Sequence, residues 1–68
     1  MKKIFVILDM YQELQMGSVI NISVCHQKYG ISESTFYRYL GDIREYLWEQ
    51  HLQEIIYFPQ ENTYKIIK

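Results

Sequence analysis

Between Lys3 and Gln15 apolar residues recur at steps of three and four, at Ile4, Ile7, Leu8, Tyr11 and Leu14, the spacing of one buried stripe on a helix. Gly17 and Ser18 close this first predicted helix. The β-branched pair Val19-Ile20 predicts a short strand, and Asn21, a good N-cap, predicts a second helix from Ile22 to Tyr29. Gly30 is the residue type that most easily takes positive φ, so a sharp turn is expected there, with Ile31 plugging the core and Ser32 capping a third helix. That helix, from Glu33 to about Gln50, sorts its side chains: Phe36, Leu40, Ile43 and Leu47 pack, while Ser34, Tyr37, Arg38 and Gly41 face water. Past His51 the period changes. Ile55 to Phe58 is β-branched and aromatic, Pro59 to Asn62 is turn chemistry, and Thr63 to Ile67 is β-prone again, which predicts a β-hairpin.

Helix, short strand, helix, tight turn, helix, hairpin is the plan of a winged helix-turn-helix: mainly α, with three helices and a two- or three-stranded wing sheet. At 68 residues the chain has room for one such domain, spanning 1–68, and one thin core. A deep substrate cleft is therefore not expected. His26 and His51 have no acid or nucleophile patterned beside them and no Gly-rich phosphate loop is present, so the chain is read as a non-enzyme without a cofactor. A metal site is not expected either, because Cys25 and His26 are adjacent and adjacent helical side chains diverge by about 100°. Cys25 reads instead as a core thiol. As the single cysteine it has no intrachain partner, which suggests a reducing cytoplasm. The opening Met1-Lys2-Lys3 with Ile4 to Leu8 imitates a signal peptide, but Asp9 interrupts the apolar run, and no membrane span is expected.

The purpose of this plan is to present one helix end. A major groove admits a single α-helix, whose first turns need short polar and flexible cationic side chains to reach base edges and phosphates. Ser32, Ser34, Thr35, Tyr37 and Arg38 meet that need and are the expected contacts to double-stranded DNA. Ser34 and Thr35 can donate to phosphate where the helix dipole already favours anions, and Arg38 can take a guanine edge bidentately. Lys28 is expected at the flanking backbone, and Gln60, Asn62 and Lys65 of the hairpin at the neighbouring groove. The net charge of −1 opposes this reading, and Glu33 would repel phosphate. Segregation answers part of it: Lys2, Lys3, Lys28, Arg38, Lys65 and Lys68 stand apart from Asp42, Glu45, Glu49 and Glu54, which predicts one basic face.

Tyr29-Gly30-Ile31-Ser32, then Ser34-Thr35-Phe36-Tyr37-Arg38, then Ile43 and Leu47, and finally Asn62-Thr63-Tyr64-Lys65-Ile66 carry a resemblance over nearly the whole chain. The chain resembles the winged helix-turn-helix of DeoR-type, WYL-domain and Mga-like or PRD-containing bacterial transcriptional regulators. That resemblance implies recognition-helix contacts at Ser34, Thr35, Tyr37 and Arg38. Two positions depart from the pattern. His26 stands where a small residue usually lets the second and third helices approach, so the pair is expected to splay, and Tyr39 replaces the acid that often follows the Arg in DeoR-type relatives. Such regulators also carry an effector-binding or phosphorylatable region, so the resemblance implies a fragment or a miniature regulator.

Large apolar side chains remain unaccounted for. Trp48 falls on the side of the third helix opposite Phe36 and Leu40, and Ile56 and Phe58 alternate against Ile55 and Tyr57. Either the wing covers Trp48 or these residues form a homodimer seam through Trp48 and the hairpin. The alternative function is a protein-interaction module that keeps the fold and docks through this surface without DNA. Gly41, inside a helix at a cost of about 1 kcal/mol relative to Ala, suggests close approach of a backbone, from DNA or another helix.

Overall fold

A computed structural model describes residues 2–67; Met1 and Lys68, the latter among the cations expected on a basic face, lie outside the described residues. The order is α1 (Lys3–Gln15), α2 (Ile22–Tyr29), α3 (Glu33–His51), β1 (Glu54–Phe58) and β2 (Thr63–Ile67). The strands pair antiparallel, with Ile55 opposite Ile66 and Tyr57 opposite Tyr64. Ile20 adds one further pair, exchanging both backbone hydrogen bonds with Tyr64 at 3.0 and 2.8 Å. Val19-Ile20 thus contributes a single bridge to a two-stranded sheet rather than a full third strand. Three helices with this hairpin make a mainly helical, winged-helix-like topology.

Each boundary has a local cause. Gly17 takes φ 83 just past α1. Asn21 Oδ1 accepts from the Ser23 and Val24 amides at 2.8 and 3.2 Å, satisfying two of the unpaired donors at the start of α2. At the far end of α3, Leu52 occupies the left-handed region (φ 54), and the next amide, of Gln53, returns to the Leu47 carbonyl at 3.2 Å. That position is usually glycine, so a branched side chain there carries backbone strain.

Phe36, Leu40, Ile43 and Leu47 of α3 are buried, as their spacing predicts, and Tyr39 joins them at 8% exposure. Val6, Met10, Leu14, Ile20, Cys25, Ile55 and Tyr64 complete the core. The stripe expected on α1 is rotated by about one residue: Val6, Met10 and Leu14 are buried, Ile7 and Tyr11 half-buried, and Ile4 and Leu8 exposed. Apolar residues occupy Ile4 to Leu8 without a break, so spacing alone does not choose the inward side. Polar partners choose it. Asp9 accepts from the Tyr29 hydroxyl at 2.5 Å and pairs with Lys28 at 3.0 Å, which turns that side of α1 toward α2. Among the described residues, no helix is long and apolar enough to cross a membrane.

Candidate nucleic-acid interface

The turn between α2 and α3 is built from Gly30 to Ser32. Gly30 adopts φ 69 and ψ 26, the left-handed region open to glycine, and its N–H donates to the His26 carbonyl at 2.9 Å. His26 Nδ1 lies 2.8 Å from the Ile31 carbonyl oxygen; a carbonyl only accepts, so Nδ1 carries the proton and donates. The ring is exposed and ties the end of α2 to the turn. Cys25, one position earlier, is the α2 side chain that enters the core, and burial pushes its thiol up from the ordinary value.

Ser32 restarts the backbone with extended dihedrals and caps α3, its Oγ accepting from the Thr35 amide at 3.2 Å. The same hydroxyl donates to Thr35 Oγ1 at 2.9 Å and receives Ser34 Oγ at 3.2 Å. Arg38 Nη2 donates to Thr35 Oγ1 at 3.4 Å, which draws the guanidinium back over the first turn and leaves most of its donors unused. Ser32, Ser34, Tyr37 and Arg38 are exposed and Thr35 is half-buried, so the helix tip is not covered by the described chain. Its amides and dipole favour an anion there.

Tyr37 does more than face solvent. Its ring meets Phe36 edge to face at 5.4 Å, and Phe36 in turn lies 5.8 Å from the Tyr64 ring. Burial first, and then the neighbouring Tyr37 hydroxyl, push the Tyr64 hydroxyl up to about 12. Tyr64 lies 4.9 Å from the Tyr57 ring, and the Tyr57 hydroxyl donates to Asn62 Oδ1 at 2.9 Å. Asn62, at φ 53, also accepts on its carbonyl from Asn21 Nδ2 at 2.6 Å. Three tyrosines and two asparagines therefore fix the hairpin turn beside the first turns of α3. Asn62 is exposed but its side-chain oxygen is occupied, whereas Gln60 and Lys65 are exposed without such a tie.

The cations distribute unevenly. Lys28 is turned toward α1, 3.0 Å from Asp9 and 3.7 Å from Glu13, with its ammonium over the Tyr29 ring. The Tyr29 hydrogen bond, then that of Lys28, holds the Asp9 carboxyl below the usual range, and the bond to Asp9 in turn raises Lys28. Lys28 is thus paired with α1 while its side chain stays half-exposed at the end of α2. Lys2 and Lys3 lie at the start of α1, over the rings of Phe5 and Tyr39. Beside the tip and wing remain Arg38, Lys65 and Arg44, which spacing alone could have indicated: it stands seven residues, close to two turns, after Tyr37. Arg44 lines an open groove of about 440 Å³ between α3 and β1 with Gly41, Glu45, Trp48, Gln53, Glu54, Ile55 and Ile56. Trp48, 53% exposed, is flanked by the wing without being covered by it. Gly41 opens this groove: a Cβ built there meets nothing within 4 Å, so no neighbouring helix of the described chain requires glycine.

Comparison with protein families, with curated proteins and with solved structures found no match to this chain.

Proposed function

We propose that the chain is a sequence-specific DNA-binding transcriptional regulator, or the DNA-binding domain of one, that inserts α3 into the major groove of double-stranded DNA in the cytoplasm. The observation that carries this reading is the bare tip of α3. Ser32, Ser34, Thr35 and Arg38 form one hydrogen-bonded polar cluster at a helix N-terminus, and the hairpin packs against the same helix through Tyr64 and Phe36. Arg38 takes a base edge, Ser34 and Thr35 take phosphate oxygens, and Arg44 with Lys65 takes the flanking backbone.

Selection of duplexes from a random pool tests it. A recovered consensus, whose affinity falls on Arg38→Ala, supports the reading. Failure to enrich any sequence at low salt contradicts it.

The alternative is a protein-interaction module, favoured by one specific finding: the net charge is −1 and Lys28 is neutralised by Asp9 and Glu13. On that reading the Trp48 groove docks a protein, and Trp48→Ala abolishes capture of a saturable partner while no DNA fragment is bound.

A further inference from the structure

α1 carries more apolar surface than the core uses. Ile4 and Leu8 lie on its outward side, 54% and 56% exposed, with Phe5 beside them. Toward α3 this surface continues through Ile7, Leu8 and Tyr11 to Ile43 and Tyr46, which with Asp42 line an open groove of about 410 Å³. Half-exposed side chains of this size leave on the order of 100 Å² each, so Ile4, Phe5, Leu8 and Tyr46 together leave roughly 400 Å², within the range of the largest patch on a monomer and one that is often functional.

The two ends of this face differ in charge. α1 and α3 run side by side in the same direction: Lys3 Nζ sits 5.8 Å from the Tyr39 ring, Tyr11 meets Tyr46 at 5.8 Å, and Gln15 donates to Gln53 at 3.1 Å. Lys2 and Lys3 therefore mark the N-terminal end. Asp42, Tyr46 and Glu49 follow one another at helical steps of four and three, so the acids lie on the side of α3 that faces the groove, with Glu49 at the opposite end from the lysines.

A face that is positive at one end, mostly apolar in the middle apart from Asp42, and negative at the other brings Lys3 opposite Glu49 when a second copy is turned end for end. We propose that this α1–α3 face is a homodimer seam, its two-fold axis passing near Leu8 and Tyr46, with Lys3 of each copy opposite Glu49 of the other. A standard interface takes about 800 Å² from each partner, roughly a sixth of the 4757 Å² surface here; the apolar patch of roughly 400 Å² would form its centre, with Lys2, Lys3 and Glu49 toward its rim. This seam replaces the one expected through Trp48 and the hairpin. Trp48 lines the groove on the other flank of α3, next to Arg44 and Gly41, and stays open in the dimer. The proposal does not depend on DNA binding.

Sedimentation over protein concentrations from low micromolar to several hundred micromolar tests the seam. The expected result is a reversible monomer–dimer equilibrium that Leu8→Glu weakens by about 10-fold or more, the effect of burying an unpaired charge, while helical circular dichroism is unchanged. Lys3→Glu and Glu49→Lys each weaken association several-fold, and the double variant recovers most of the loss, because the swapped pair is again complementary. A chain that stays monomeric throughout overturns the proposal. So does a Leu8→Glu variant that associates like the parent, a double variant no better than either single one, or dissociation by Trp48→Ala alone.

Discussion

Arg38 is held over the first turn of α3 by one long hydrogen bond to Thr35 Oγ1, which orients the guanidinium without consuming it. Removing it leaves the core intact, since the side chain is exposed. Arg38→Ala is expected to weaken binding to a cognate duplex by about 1–3 kcal/mol, read by fluorescence anisotropy, and to leave binding to random duplex much less affected. An equal loss on both moves Arg38 to a phosphate contact. Gly41 answers to two readouts. With nothing within 4 Å of a built Cβ, Gly41→Ala is expected to raise the free energy of unfolding by about 1 kcal/mol in a denaturant titration. It is expected to lower duplex affinity in the same preparation, because the groove beside Arg44 narrows where a DNA backbone approaches. Unchanged affinity removes that explanation for the glycine. Tyr39 shows where single residues escape sequence reading: it packs because it lies three residues after Phe36 and four before Ile43 on α3, yet the expected packed set of Phe36, Leu40, Ile43 and Leu47 omitted it.

At the scale of elements, α1 is fastened to α2 by Asp9, Lys28 and Tyr29, and that clamp gives stability a pH dependence with a definite sign. The folded state lowers the Asp9 pKa, so its contribution is present above the unfolded value near 4 and is lost as pH falls through the folded one. The folded state raises Lys28 and Tyr29, whose contributions are complete below about pH 10 and fade as pH rises further. Thermal melts followed by circular dichroism are expected to show a plateau between those limits. Asp9→Asn is expected to flatten the acid side; an unaltered acid limb would place its origin in other carboxylates. The same clamp explains how far the sequence was readable. Capping residues, Gly30 and the change of period after His51 are local signals, and they located α2, α3 and both strands to within a residue. The rotation of α1 depends on partners twenty residues away, which periodicity does not contain. Asn62 is similar: its turn chemistry was legible, but its bonds to Tyr57 and Asn21 join segments up to 41 residues apart.

For the whole molecule, charge is the term that decides how tightly DNA can be held. Seven basic residues stand against eight acidic ones, and Lys28 is committed to Asp9 and Glu13. Arg38, Arg44 and Lys65 are then the cations beside the tip and wing, so the slope of log affinity against log salt is expected near −3 for each protomer, at about −0.9 per phosphate neutralised. A slope of about −4.5, at the same rate of about −0.9 per phosphate, would bring Lys2 and Lys3 into the contact. Shallow electrostatics leave most of the discrimination to the groove contacts of α3, so recognition rests on the tip. Its most direct test follows backbone amide resonances while the chain is titrated with a duplex recovered by selection. The largest shifts are expected from Ser32 to Arg38, with smaller ones at Arg44, Asn62 and Lys65 and none along the outward side of α1. Resonances from Ser32 to Arg38 that stay fixed at saturating duplex in low salt would show that α3 does not enter the groove.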